Sequence, residues 1–131
     1  MRGQSLVELA LVLPVLVLLA IGTAAAVRVA DARAGLDAAT AAAAAAAARQ
    51  PDAAGAASAG SLRFEAVAGA YPLTRPTLSL ELGGFGRGGS VLAQADASVD
   101  LSWAPFPGLP GSLPLHSAAT AAIEPWRSRE G

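Results

Sequence analysis

The chain has no cysteine and no lysine, and His116 is its single histidine. The lack of cysteine excludes disulfide bridges and thiolate metal sites, although exported domains can fold without bridges. Ten acidic residues against nine arginines leave a formal net charge of -1. A chain of this charge has no broad positive surface of the kind that attracts nucleic acid, so we expect no nucleic acid among its partners.

Large side chains are scarce outside one block. Aromatic residues make up only 5% of the 131 residues, and much of the 53% hydrophobic fraction is alanine. This length fits one small folded unit. Because few large side chains remain to build a core, we expect a globular part that is small and of marginal stability by itself.

The one block of large apolar residues lies near the start of the chain. No charged residue occurs from Leu9 to Val27. This span of about 19 residues is close to the ~20 that cross the hydrocarbon of a bilayer as a helix. The block is apolar on all sides, as expected for a helix surrounded by lipid or by other helices. We predict a transmembrane helix over residues 4–27, with a helix kink at Pro14 that membrane helices tolerate.

An alanine-rich segment follows the apolar block directly. Alanine is the strongest helix former, and within the segment Gly35 is only a mild breaker. The helix is therefore predicted to continue outside the membrane over residues 28–50. From Ser5 to Arg49 it would measure roughly 67 Å. A proline followed by a Gly/Ala/Ser stretch predicts its end and a linker over residues 51–60.

The second half of the chain alternates apolar and polar residues, which is the pattern of strands with one buried face. It does so over Ser61–Val67, over Thr77–Leu82 and most clearly over Val91–Trp103. After a proline-rich loop at Ala104–Gly111, the segment Leu113–Ile123 predicts a weaker final strand. We expect a small antiparallel β domain of three or four strands over residues 61–131. The extramembrane part of the helix would cover its apolar face, giving an α+β fold.

No motif points to catalysis or to a bound cofactor or metal. The glycines of Gly83–Gly89 match a dinucleotide fingerprint as a string, but a strand pattern follows where a helix is needed, which favours a hairpin loop. No carboxylate pair lies at metal-ligand spacing beside His116, and the chain has no nucleophile elbow. Trp103 and Trp126 are interpreted as core and rim residues. We predict that the protein is not an enzyme and carries no cofactor or metal.

The alanine run Ala41–Ala48 has two interpretations. It is either a small-residue surface that allows close helix packing or the product of compositional drift. Sequence alone leaves both open.

Glu8 places one ionisable group at the start of the apolar block. An ionised carboxylate costs about 2.5 to 3.5 kcal/mol at the centre of a membrane helix and less near the interface. The side chain can reach back to the headgroups, or it can pair with a positive group of a neighbouring chain. An ion pair between Glu8 and such a group would be strong in the low dielectric of the membrane. It would also select the axial register of packed helices, because a carboxylate without its partner keeps the full desolvation penalty.

The segment "RGQSLVELALVLPVLVLLAIG" resembles the N-terminus of the TadE/TadG-like pseudopilins of the tight-adherence (Tad, or Flp) pilus system, a branch of the type IV pilin superfamily. The resemblance is closest over Arg2–Gly22 and looser through Arg49. Beyond Ser61 only the general layout is similar. The resemblance implies a non-catalytic, membrane-anchored subunit that assists assembly or initiation of a pilus.

The resemblance also implies roles for particular residues. Residues 1–3 would be a short leader, which a membrane aspartyl prepilin peptidase would cut between Gly3 and Gln4. Glu8 would then be the fifth residue of the mature chain, and the new amine at Gln4 of a neighbouring subunit would be its partner. Further implied partners are other pilins or pseudopilins through the N-terminal helix, the Tad secretion machinery and membrane lipid. The implied location is the cytoplasmic membrane, crossed once, with a cytoplasmic N-terminus and an extracytoplasmic C-terminal domain.

A secreted or signal-anchored extracytoplasmic protein unrelated to pili is the alternative hypothesis. The segment Thr23–Ala26 offers an Ala-x-Ala cleavage site. Two features argue against this hypothesis. The apolar stretch has about 19 residues, whereas the apolar region of a signal peptide usually has about 7 to 15, and Glu8 interrupts the start of the stretch. A small enzyme tethered by a signal anchor is a third possibility, for which we find no catalytic constellation.

Overall fold

The computed structural model describes residues 2–83, 89–105 and 108–123. Its elements, in chain order, are helices α1 (Arg2–Ala48) and α2 (Ala53–Ala68) and strands β1 (Thr74–Glu81), β2 (Ser90–Asp100) and β3 (Ser112–Ala122). The strands form one antiparallel sheet in the order β1-β2-β3. A long N-terminal helix with a small three-stranded antiparallel sheet confirms the predicted α+β class.

Helix α1 is continuous over 47 residues, with Pro14 inside it. Its two halves have different surroundings. Every large apolar side chain that is exposed between Leu6 and Leu19 has 42% to 69% of its surface accessible. Fully buried positions begin only at Ala25. The N-terminal half therefore projects from the domain, and the C-terminal half is part of the domain.

The C-terminal half of α1 covers the apolar face of the sheet. Its buried residues recur every three or four positions, which places them in one stripe along the helix. The main core joins this stripe to α2 and to the sheet; it includes Ala32, Leu36, Ala39 and Ala43 of α1, Phe64 of α2, and Ala95, Val99 and Leu115 of the sheet. A smaller core at the far end of α1 contains Ala47, Ala48, Ala56 and Val91.

A hydrogen bond also ties α1 to the sheet. The hydroxyl of Ser117, a buried residue of β3, donates to Oδ1 of Asp37 on α1 at 2.6 Å. Because a buried hydroxyl without a partner is costly, Asp37 allows a polar residue on the inner face of β3.

Helix α2 corrects two predictions. Residues 51–60 were expected to form a linker and Ser61–Val67 a strand, but α2 runs through both from Ala53 to Ala68. The side chain of Asp52 caps the helix by accepting a hydrogen bond from the Gly55 N–H at 2.6 Å. Such a cap satisfies one of the free N–H groups of the first turn.

The inner face of α2 shows why the strand prediction was wrong. Its buried residues are Ala56, Gly60, Phe64 and Ala68, a spacing of four that belongs to a helix. Strand alternation requires Leu62 and Phe64 to share a face. Instead Leu62 is 67% exposed and Phe64 only 3%.

The three remaining strand predictions are confirmed. Strand β2 alternates most clearly, with its inward residues buried from Val91 to Val99 and its outward residues exposed or half-buried. Trp103 departs from the predicted face because it lies beyond the end of β2, in a turn, and is 44% exposed. The predicted hairpin loop Gly83–Gly89 joins the antiparallel neighbours β1 and β2, but its residues 84–88 lie outside the described part of the chain, as does Trp126.

Two glycines mark close approaches to α1. A Cβ on Gly35 would overlap Cγ and Cβ of Tyr71, so this aromatic side chain lies directly on the backbone of α1. A Cβ on Gly60 of α2 would lie 3.4 Å from the carbonyl oxygen of Ala43 and 3.5 Å from Cβ of Ala47. Ala43 and Ala47 belong to the alanine run, so the small-residue packing interpretation holds here, within the chain itself.

We predict that Gly35→Ala destabilises the domain although alanine is the better helix former. The new methyl group meets the Tyr71 ring next to its attachment point, so rotation of the ring gives little relief. Overpacking costs about 1 to 3 kcal/mol and the gain in helix propensity offsets ~1 of this, so the free energy of unfolding should fall by up to about 2 kcal/mol.

Chemical unfolding in detergent, followed by circular dichroism, measures this change. Gly83→Ala is the matched control, because a Cβ there meets nothing within 4 Å. Equal stability of the two variants would contradict the packing of Tyr71 on Gly35.

Candidate assembly site on the N-terminal helix

The predicted processing residues lie in the first turn of α1. Gly3 and Gln4 are exposed, and a Cβ on Gly3 would meet nothing within 4 Å. The bond between them therefore lies on an open part of the chain, away from the folded domain. Cleavage at this bond stays a prediction.

Gln4 and Glu8 lie on the same face of α1, because side chains four residues apart in a helix are neighbours. Their Cα atoms differ by about 6 Å along the axis at 1.5 Å per residue. Glu8 is exposed, as are the apolar residues that continue its face, Leu11, Val12 and Val15. The structure thus brings the two predicted pairing residues together on one side of the projecting helix.

The Glu8 carboxylate has no hydrogen bond or ion pair to another residue within the described part of the chain. The side chains that follow it on the same face of α1, Leu11, Val12 and Val15, are aliphatic and cannot compensate a charge. In lipid, such a carboxylate keeps its desolvation penalty until a group from outside the chain, or the headgroup layer, receives it.

Pro14 lies inside α1, six positions beyond Glu8. It has no N–H, so the carbonyl of Ala10 lacks its usual partner in the helix. Farther along α1, the hydroxyl of Thr23 donates a hydrogen bond to the backbone carbonyl of Leu19 at 2.8 Å. This polar side chain therefore has its hydrogen-bond partner within the helix. The kink at Pro14 stays a prediction.

His116 has a surface partner and no site around it. Its Nδ1 lies 2.9 Å from Oδ1 of Asp96, its direct neighbour across β2 and β3. The two side chains are 59% and 71% exposed, so the pair adds little stability. Within residues 2–83, 89–105 and 108–123, no three His, Cys, Asp or Glu side chains are grouped as a metal site would require.

A turn after β2 was missed by sequence reasoning. Oδ1 of Asp100 accepts two hydrogen bonds from Ser102, one from its hydroxyl at 2.7 Å and one from its backbone N–H at 3.0 Å. The indole N–H of Trp103 donates to the carbonyl of Asp100 at 3.1 Å. The signal that could have revealed this turn is an Asp-x-Ser sequence at a strand end, since aspartate often binds the backbone two residues on.

The hydroxyl and then the N–H of Ser102, helped by the guanidinium of Arg28, hold the pKa of Asp100 below its ordinary value of 3.8. A carboxyl group whose pKa is lower in the folded state stabilises that state above its unfolded pKa, and the stabilisation disappears as the pH falls through the folded pKa. The turn that carries Trp103 is therefore expected to weaken in acid.

We predict a small, pH-dependent difference between the native chain and Asp100→Asn, which keeps the shape of the side chain and removes its charge. The native protein should have the higher Tm at pH 5 to 7, and the difference should vanish as the pH falls below about 3.8, the ordinary value of the group. Thermal unfolding in detergent across this range measures it. In a Ser102→Ala background the difference should be smaller at every pH, and a difference that grows in acid would contradict the assignment.

The comparisons with known proteins concern α1. A family model described as "TadE-like protein" matches residues 3–49. The match spans α1 with Gly3, Gln4, Glu8 and Pro14, and it confirms the resemblance to TadE-like proteins of the Tad pilus system over that segment. No curated protein and no solved structure matches the chain. TadE-like proteins are structural and non-enzymatic.

Proposed function

From the premise of a TadE-like N-terminal helix, we propose that the protein is a membrane-anchored pseudopilin. It is a minor pilin-like subunit that assists assembly or initiation of a Tad/Flp-type pilus and carries out no catalysis. Its partners are other pilins or pseudopilins, which it contacts through α1, together with prepilin peptidase and the Tad secretion machinery. The observation that carries this proposal is the projecting half of α1, whose only ionisable group beyond its first turn is Glu8.

The exposed half of α1 supports the membrane anchor. Among the described residues, one helix is long and apolar enough to cross a membrane, with a mean hydropathy of 2.6 over a window that is only 6% buried. A core helix of a soluble domain would bury most of such a window. The proposed orientation has a cytoplasmic N-terminus, as the prepilin-type signal of the N-terminal segment implies, and Arg2 on the cytoplasmic side agrees with it.

The mature N-terminus tests the proposed processing. We expect Edman or mass-spectrometric sequencing of the membrane-bound protein to begin at Gln4, because the open first turn exposes the Gly3–Gln4 bond. Gly3→Val should retain the leader, since a branched side chain obstructs a protease that accepts glycine. Gly83→Val, a matched change far from the leader, should be processed normally, and equal processing of both variants would contradict cleavage after Gly3.

The same measurement tests the secretion alternative. Cleavage at the Ala-x-Ala site of Thr23–Ala26 would give a soluble product that begins at Val27. In the structure this site lies inside continuous α1, and Ala25 is packed in the core of the domain. A soluble product beginning at Val27 would overturn the pseudopilin proposal.

Glu8 is proposed to set the register between neighbouring subunits. If its partner is the new amine at Gln4 of an adjacent chain, the two parallel helices are offset by about 6 Å along their axes, since four residues separate the two positions at 1.5 Å each. A different offset leaves the carboxylate among aliphatic side chains with its penalty of about 2.5 to 3.5 kcal/mol, less near the interface. The pair therefore selects one offset.

We predict that moving the carboxylate by one turn abolishes assembly while leaving anchoring and processing intact. The double variant Glu8→Val, Val12→Glu keeps the composition, the charge and the helix face, and changes the register by about 6 Å. Pilus counts by electron microscopy and surface adherence should fall to the level of a deletion strain, with wild-type amounts of mature protein in the membrane.

Glu8→Asp is the control for this experiment. It keeps the charge at the same depth and should retain most of the piliation. Normal piliation in the double variant would show that the register is not set by the position of the carboxylate.

A further inference from the structure

Two of the three exposed large apolar side chains in the described part of the domain lie beside one short section of α1, and the third, Leu62, lies on α2. Beyond Leu19, the large hydrophobic residues exposed in the described part of the chain are Val27, Leu62 and Trp103. Val27 and Trp103 line one shallow groove with Ala24 and Pro72. The domain therefore carries an apolar rim around α1 where the projecting half begins, and we call this surface the membrane-side rim.

A second apolar groove lies beside the same section of α1. It has a volume of about 540 Å³ and runs between α1 and the connection from β2 to β3. Gly22, Ala25 and Val29 line it on α1, and Leu101, Leu109 and Leu113 line it on the sheet side. The two grooves together make the membrane-side rim apolar over most of its surface.

The length of the projecting helix fixes where this rim lies. Residues 4–20 are all exposed, and the domain first contacts α1 at Ile21 and Gly22, which are half-buried. Seventeen residues give a free length of about 26 Å, whereas the hydrocarbon of a bilayer is about 30 Å thick. The free helix is thus slightly too short to cross the membrane with the domain held clear of it.

The block without charged residues, Leu9–Val27, also indicates that the membrane-spanning stretch extends into the part of α1 that the domain contacts. It ends at Val27, whereas contact with the domain begins at Ile21. The overlap of about seven residues corresponds to roughly 10 Å of helix that is both suited to membrane depth and packed against the domain. Both lengths therefore favour a position of the membrane-side rim at the boundary between the acyl chains and the headgroups.

We propose that the membrane-side rim rests in the outer headgroup layer of the bilayer that anchors α1, with the ring of Trp103 at the boundary with the acyl chains. The proposal rests on the proposed membrane anchoring and adds a second, peripheral lipid contact made by the folded domain. The indole N–H of Trp103 is already bonded to the Asp100 carbonyl, so the outer part of the side chain is apolar. Tryptophan is enriched at this depth of membranes because its apolar ring and polar edge suit the interface.

The charged side chains of the rim fit the same position. Arg28 and Asp31 border the Trp103 groove, and Arg33 borders the larger groove. The positive arginines and the negative aspartate can stay hydrated among zwitterionic headgroups, while the aliphatic parts of the arginine side chains lie along the apolar surface of the grooves. The proposed partner of the membrane-side rim is therefore a lipid layer, and binding does not require that this layer carry a net negative charge.

Lipid-phase quenching of Trp103 tests this proposal on the full-length chain in phosphatidylcholine vesicles. Trp126→Phe leaves Trp103 as the one fluorophore of its type. Phosphatidylcholine brominated near the carbonyl end of its acyl chains is the probe. The control carries Trp103→Phe, Trp126→Phe and Thr120→Trp, with the reporter on an exposed position at the opposite end of β3. Quenching of Trp103 should exceed that of the control at least about twofold, because only the rim reaches the acyl chains.

Each other outcome overturns a defined part of the argument. If alkaline carbonate releases the chain from the vesicles, both the anchoring and the rim contact are wrong. If the chain is retained and Trp103 is quenched no more than the control, only the rim contact is wrong. If Trp103 is shielded from acrylamide only at high protein-to-lipid ratios and bromolipid has no effect, a second copy of the chain covers the rim, and the lipid proposal is overturned.

Discussion

The apolar face of the sheet must be kept from water, and α1 is the element that covers most of it. Three strands of mostly small residues cannot form a stable layer alone, because a sheet with one apolar face needs a second layer. The same helix also contains the apolar stretch that is long enough to span a membrane. This stretch and the core therefore belong to one continuous element, and neither can be removed without affecting the other.

Alanine is what makes this arrangement compact. The stripe from Ala32 to Ala47 brings the backbone of α1 close to the sheet and to α2, and Gly60 extends the close contact. Small side chains bury little area each, at about 25 cal/mol per Å² of apolar surface. The domain compensates with a few larger side chains, Leu36 and Phe64 among them, and with the hydrogen bond from Ser117 to Asp37. A core of this kind is sensitive to added volume, because its layers are already in backbone-level contact.

Sequence reasoning predicted the parts of the fold that depend on local pattern. The alternation of β2 was readable because one face of that strand is buried and the other is not. The same reasoning failed for Ser61–Val67, because three alternating apolar residues are too few to establish a strand and the residues that reveal the helical spacing, Ala56 and Gly60, lie earlier in the chain. The contact of Tyr71 with Gly35 was not predictable, because nothing local relates two residues so far apart. The residues of the candidate assembly site came from the resemblance of the N-terminal segment, whereas the turn at Asp100 was missed although its Asp-x-Ser signal is present in the sequence.

Helix α1 continues without a break from its projecting half into the domain, and this continuity has a mechanical consequence. A linker would let the domain turn freely above its anchor, but an uninterrupted helix is stiff over its length of about 70 Å, so it acts as a shaft. Rotation of its projecting end turns the domain with it. In the proposed assembly, whatever fixes the azimuth of Glu8 would thereby also decide which side of the sheet faces a neighbouring subunit.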